Sequence, residues 1–169
     1  MVVRIWNLFW GSLETLFYLR RRRNAKTELQ RMRDYIKKLP RILKPSRLEE
    51  WYKKREMTWR ADPLGGWLDF TSKPWVTVTK NKGDCDDFAE IAWYALKDDY
   101  DNASIIAIAA AGGKEPHAVF VAGAGSAWIV MSNTDFLGQL DTRDKAIRRF
   151  FGDKTLGWIE LKSKQKRGG

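Results

Sequence analysis

The run Gly83-Asp84-Cys85-Asp86-Asp87-Phe88-Ala89 holds the only cysteine of the chain and opens a helix over about residues 85–97. Asp84 is a good N-cap, and Asp87, three residues on, has capping-box spacing to it. Asp86 and Asp87 fall in the first turn, where the helix dipole favours negative charge. Cys85 then takes the first helical position, directly after a Gly-Asp turn, and the free N–H groups there favour a thiolate. The aspartates act the other way, because like charges oppose a second anion. Phe88, Ala89, Ala92, Trp93 and Leu96 follow at helical spacing, so the same residues also describe an inert thiol in a core.

One cysteine cannot close an internal disulfide, and one Cys with one His cannot make a structural zinc site. No metal and no cofactor is therefore expected. Asp98-Asp99-Tyr100-Asp101-Asn102 lacks the Gly and the terminal Glu of a calcium loop. Gly123-Ala124-Gly125 has no helix after it and is a hairpin turn, not a dinucleotide fingerprint. Any Cys/His chemistry must join Cys85 to His117.

Past the helix, residues 104–111, 117–122, 127–132 and 155–161 have strand patterns separated by glycine-rich turns. One helix followed by antiparallel strands makes an α+β domain. If Ala122 faces Ala127 across the turn, His117 lies opposite Ser132 with Asn133 next in line. A one-residue change of register sets Asn133 opposite instead. Asp135 reaches the imidazole if the strand ends early. A polar neighbour of this kind is what a histidine base needs to fix its tautomer.

Upstream the composition changes. Residues 1–60 hold 17 Lys/Arg against 6 Asp/Glu, while residues 61–169 hold 14 against 15. Such a bias speaks to association, not to fold. Residues 2–19 form a helix with a narrow polar stripe and an apolar face that includes Trp6, Phe9, Trp10, Leu13 and Phe17. That stripe argues against a membrane span. Arg20-Arg21-Arg22-Arg23 stands where a signal peptide needs small residues, so no cleavable signal is expected. The aromatic face and basic flank suit docking on a protein assembly or a membrane surface, or packing on the chain's own domain. No nucleic-acid motif accompanies the charges, so nucleic acid is not expected as a partner. Residues 24–39 form a second helix stopped by Pro40, and Ser46 to Glu49 has capping-box spacing for a third. Residues 59–80 read as a loop with turns at Asp62-Pro63 and Gly65-Gly66. The chain thus divides into a basic helical arm at 1–58, a domain at 59–161, and a basic disordered tail at 162–169.

Asp62-Pro63, Asp69-Phe70 and Pro74-Trp75, then the Gly83–Ala89 run, resemble the transglutaminase-like cysteine peptidase superfamily. The compact bacterial and phage-borne members are the most similar. His117-Ala118-Val119 stands where that family has its histidine strand, and Trp128-Ile129-Val130-Met131 resembles the strand leading to its acidic residue. The resemblance covers about residues 59–161 and implies a papain-like fold: a helix bearing the Cys at its N-terminus, packed on an antiparallel sheet. It implies thiol acyl transfer on a peptide or isopeptide bond of a peptide or protein substrate. Cys85 would be the nucleophile, His117 the base, and Asn133 or Asp135 the residue orienting it. The Cys85 backbone N–H, supported by the Asp84 cap, would donate to the oxyanion, with the Trp75 indole as a second donor. Where the family usually has Asp, this chain reads Ser132-Asn133-Thr134-Asp135. The alternative is a non-catalytic docking or structural protein, such as a virion or envelope component, that keeps the fold. A cytoplasmic or virion-associated location fits either reading.

Overall fold

The structure is a computed structural model that describes residues 2–60, 73–112 and 116–165, with side chains in the first helix from residue 19 onward. The expected turns at Asp62-Pro63 and Gly65-Gly66, the Asp69-Phe70 pair, the side chains of Trp6, Phe9 and Trp10, and residues 166–169 lie outside the described residues.

The centre of the molecule is the Cys85–Leu96 helix, α4 in chain order. The Asp84 Oδ1 accepts from the Asp87 N–H at 3.3 Å, so the expected N-cap forms. Phe88, Ile91, Ala92 and Leu96 have no exposed surface. Those four positions form one stripe, but Asp86, Asp87, Ala89, Glu90 and Ala95 are buried too, so the helix is covered on more than one side. One cover is a five-stranded antiparallel sheet in the order β6-β5-β4-β3-β7. Its strands are β3 (Asn102–Ala110), β4 (His117–Ala124), β5 (Ala127–Ser132), β6 (Asp135–Leu140) and β7 (Thr155–Gln165). Alternation along the strands splits the residues between two faces. Phe120, Ala122, Ile129 and Met131 pack under α4. Ile106, Ile108, Val119, Val121 and Val130 line the other face, where Ala146 and Ile147 of the short helix α5 (Arg143–Arg148) meet them.

The second cover of α4 comes from the N-terminal third. The two helices expected at 2–19 and 24–39 are one, α1 (Val2–Lys37). Nothing between them breaks a helix, and the Arg run has good helical propensity. Ala25, Leu29, Met32 and Ile36 of α1, with Leu48 and Tyr52 of α2 (Lys44–Lys54), belong to the same core cluster as Phe88 and Ile91. The buried Tyr52 hydroxyl donates to the Phe88 carbonyl at 3.2 Å. A division at residue 58 therefore misdescribes the packing: the C-terminal half of α1 and all of α2 complete the domain.

Four local expectations also change. Ser46 makes no capping box; its hydroxyl donates back to the Leu43 carbonyl at 2.9 Å, and α2 starts two residues earlier. Residues 74–80 are a helix, α3 (Pro74–Lys80), with Pro74 in its first turn where a missing N–H costs nothing. Two short strands, β1 (Thr58–Trp59) and β2 (Lys82–Gly83), pair in parallel and tie α2 to the start of α4. The last strand continues to Gln165, beyond the expected end at 161. Lys162 bonds Glu90 and Lys164 bonds Asp98, so residues 162–165 are ordered structure and not tail.

Ile36→Ala tests whether α1 is integral. At a position with no exposed surface the substitution should cost about 2–5 kcal/mol, read as a lowered denaturant midpoint. A loosely appended arm would lose next to nothing.

Candidate functional site

Gly83 sets the entry to α4. A Cβ there would stand 2.7 Å from the Asp87 side chain and 2.8 Å from Thr77 Cγ2, so only glycine lets α3 and α4 close on this turn. Cys85 follows at the helix start, half-buried. Its Sγ accepts a hydrogen bond from the Ala118 N–H at 3.4 Å. The reason lies in the hairpin beside it. The β4–β5 register pairs Phe120 with Met131 and Val121 with Val130. Continued, it would set Asn133 opposite Ala118. Asn133 instead has φ 49° and begins the two-residue turn between Ser132 and Asp135. The Ala118 N–H is thus left without a strand partner, and the sulfur takes the place of the missing carbonyl. The nucleophile candidate sits against the peptide that directly follows the only histidine.

Burial pushes the Cys85 thiol up to about 11. The Ala118 N–H pulls it down, and the Asp84 and Asp86 charges push it further up. The helix-start effect expected from the sequence loses to burial in this state. His117 is moved in the opposite direction: burial lowers its pKa from 6.5. Both groups are therefore neutral near pH 7.

His117 Nε2 lies 2.8 Å from Ser132 Oγ, and the imidazole packs at 5.0 Å from the Phe150 ring centroid. The neighbour is the one read opposite His117 in the sequence, reached by a different register. The tight turn is Gly125-Ser126, closed by Ala124 facing Ala127, so the pairing is shifted by two residues from the Ala122–Ala127 expectation. Ser132 shares a face with Val119 and His117 and is met diagonally, a contact long side chains can make. Asn133 and Asp135 are not brought to the imidazole. No hydrogen bond joins either to His117 among the described residues; Asp135 is exposed, and Asn133 Oδ1 is buried with no partner. The Trp75 ring belongs to the seam between α1 and α3, with the Arg22 guanidinium 4.1 Å and the Lys26 amine 5.4 Å from its centroid.

The sequence assigned the aspartates around Cys85 to capping alone. The structure adds something. Asp84, Asp86 and Asp87 each place a carboxylate oxygen within 4.8 Å of the others. Burial, then Asp86, holds the Asp84 carboxyl up at about 8. Asp86 Oδ1 accepts from the Asp87 N–H at 2.9 Å, while its Oδ2 is buried with no partner. The signal was present as three aspartates in four positions.

No family model matches the sequence, and no curated protein does. Solved structures do. The chain is similar to Legionella pneumophila LapG at 18% identity, covering 83% of this chain and 77% of that one with a TM-score of 0.58. A calcium-bound LapG structure matches at 20% identity over 69% of this chain and 67% of that chain, TM-score 0.54. An EGTA-treated LapG structure gives 20% identity, 69% and 66% coverage, and the same score. The chain spans about two thirds of the length of those two structures. LapG is a transglutaminase-like cysteine peptidase, and the fold of this chain is transglutaminase-like.

Because the chain has a single imidazole, its NMR titration reports His117 alone. The midpoint should fall below 6.5, stay low in Ser132→Ala, and rise in Ser132→Asp as a carboxylate favours the imidazolium. The folded state binds fewer protons than the unfolded chain in that window. Its contribution to stability is then full above about pH 6.5 and lost as pH falls toward the folded midpoint. A wild-type midpoint at or above 6.5 would show that burial does not dominate here.

Proposed function

We propose that the chain is a cysteine peptidase or amidase that works by thiol acyl transfer on a peptide or isopeptide bond. The observation that supports this reading is the Ala118 N–H bond to Cys85 Sγ, which brings the sole thiol to the backbone of the residue after the sole histidine in a transglutaminase-like fold. Cys85 attacks the amide carbonyl while His117 takes the thiol proton. The backbone N–H of Cys85, free at the helix start, donates to the oxyanion. The tetrahedral adduct then expels the amine, which leaves with the proton from His117. Water attacks the thioester, giving a carboxylic acid and the restored thiol. Ser132 holds the imidazole through Nε2, which leaves Nδ1 as the nitrogen that accepts the thiol proton. Since both groups rest neutral, the proton moves together with the attack and not before it.

A second reading, a docking protein that keeps the fold, is favoured by Ser132, because a hydroxyl orients an imidazole but brings no charge to stabilise its cation. Labelling by a peptidyl epoxide separates the two. The enzyme reading expects labelling that is lost in Cys85→Ala and slowed about 100-fold or more in His117→Ala. Slow labelling indifferent to His117→Ala favours the docking protein. In either case the arm is read as the segment that holds the molecule on a protein assembly or membrane surface. Arg20, Arg21 and Arg23 support this, being exposed and without an ion-pair partner among the described residues.

The calcium in one LapG structure prompts a further part of the proposal: Asp84, Asp86 and Asp87 bind a divalent cation. The set is all oxygen, as calcium prefers, and the unpartnered Asp86 Oδ2 is a ligand atom without other work. A bound cation would supply positive charge that offsets the aspartates beside Cys85. Calcium at about 100 times its Kd should raise the melting temperature by roughly 5–10 °C over EGTA. Asp86→Asn should remove that rise; a melting temperature equal in calcium and EGTA rejects the site.

A further inference from the structure

Two clefts flank α4, each of about 410 Å³. The first lies between α1, α3 and α4, with Leu29, Pro74, Trp75 and Tyr94 as its apolar walls. Lys26 and Lys73 are among its lining residues, and the Arg22 guanidinium lies over the Trp75 ring. None of these three cations has a carboxylate partner among the described residues. Elsewhere in the same layer the cations are matched: Arg33 with Asp98, Lys44 with Asp99, and Arg55 with Glu28.

Riveting the arm to Trp75 accounts for Arg22 and Lys26, since a cation over an indole face is attractive. It does not account for Lys73, which makes no such contact among the described residues, or for an open cleft beside the rivet. The second cleft shares Lys73 and Pro74 with the first and runs on to Asp86, next to the nucleophile candidate. Along α4 the two are joined by Asp86, Glu90 and Tyr94, at four-residue steps on one stripe of the helix. From Asp86 to Tyr94 is ~12 Å of helix axis. Three to four residues of extended chain span that distance, at roughly 3.3–3.6 Å each.

We infer that the cleft at Lys26, Lys73 and Trp75 is an exosite for an acidic segment of the substrate chain. This deepens the peptidase reading and rests on it for the word substrate. One carboxylate of the segment meets Lys26 and Lys73, and a neighbouring apolar side chain enters between Trp75 and Tyr94. The acidic residue then stands three or four residues from the scissile bond. Glu90, midway along the path, does not repel it, because Lys162 neutralises that carboxylate.

The test measures binding without turnover. Fluorescein-labelled nonapeptides carrying Phe beside either two Glu or two Lys are titrated, by anisotropy, into full-length Cys85→Ala protein. The Glu peptide should bind at least tenfold more tightly than the Lys peptide. The charge reversal Lys26→Glu with Lys73→Glu should erase or invert that preference, and Lys154→Glu, on an exposed turn, should leave it. Thermal melts of each variant check that the fold is kept; should the double variant melt early, Lys73→Glu alone must show the loss. Equal affinity for the two peptides, or a preference untouched by charge reversal, overturns the exosite. So does co-sedimentation with phosphatidylserine vesicles that is lost in the double variant while neither peptide binds. Failure of epoxide labelling with the acidic preference intact counts against the peptidase reading alone.

Discussion

The peptide N–H of Ala118 must find an acceptor, and the acceptor it finds is sulfur. A backbone donor at the inner end of a sheet cannot be left bare without a cost of about 1–3 kcal/mol. The Asn133 turn removes the carbonyl that would have satisfied it, and α4 delivers Cys85 Sγ to the vacancy. This one contact ties the start of the central helix to the first residues of β4. Everything that converges on α4 serves to hold it there: the sheet below, α1 and α2 on its other side, and Gly83 closing its entry against α3. The same contact sets where the thiol stands. The thiol accepts a backbone hydrogen bond from the residue after the histidine, while the imidazole itself bonds Ser132 and packs on Phe150.

Three influences compete over that thiol. Burial opposes the thiolate most, the Ala118 donor favours it, and the aspartates add to the effect of burial. The aspartates are not an accident of capping, because capping needs one carboxylate and this turn has three in mutual reach. Asp84 performs the cap; Asp86 keeps an oxygen with no partner, an expensive arrangement in a buried place. Burial first, and then the neighbouring Asp86 and Asp87, push the Asp84 carboxyl up to about 8. An arrangement this unfavourable on its own is the kind found where a site, and not the fold, dictates the residues.

Where sequence and structure part company, the causes are specific. The α4 helix was legible because cap, spacing and first-turn charge agree at Asp84, Asp87 and Phe88. The strands were legible from alternation, but their register was not. Gly123, Gly125 and Ser126 all suit a turn, and only packing chooses Gly125-Ser126, so Ser132 was placed beside His117 by a pairing that does not occur. Asn133 and Asp135 look more useful than Ser132 on paper; the left-handed turn at Asn133 takes both away. Helix α3 hid behind Val76, Thr77, Val78 and Thr79, whose β-branching speaks against a helix until tertiary contacts override it. Charge misled most. The basic bias of residues 1–60 suggested a separate arm, yet Leu29, Met32, Ile36 and Leu48 are among the most buried residues of the molecule. Net charge describes a surface, and a helix can carry such a surface and a core face together.

The place of Ser132 also bears on how the site could work at all. With the thiol near 11 and the imidazole below 6.5, an ion pair formed in advance is strongly uphill. A carboxylate in place of Ser132 would lower that gap by raising the imidazole; a hydroxyl does not. The hydroxyl does hold the ring, which packs beside Phe150, and on the proposed reading a neutral imidazole held in this way serves as the base. The proposed mechanism therefore couples proton transfer to C–S bond formation. On the proposed peptidase reading, the substrate carbonyl takes part in making the nucleophile. On that reading the first step would depend on how well the substrate chain is held, and the clefts beside α4 would bear on rate as well as on recognition.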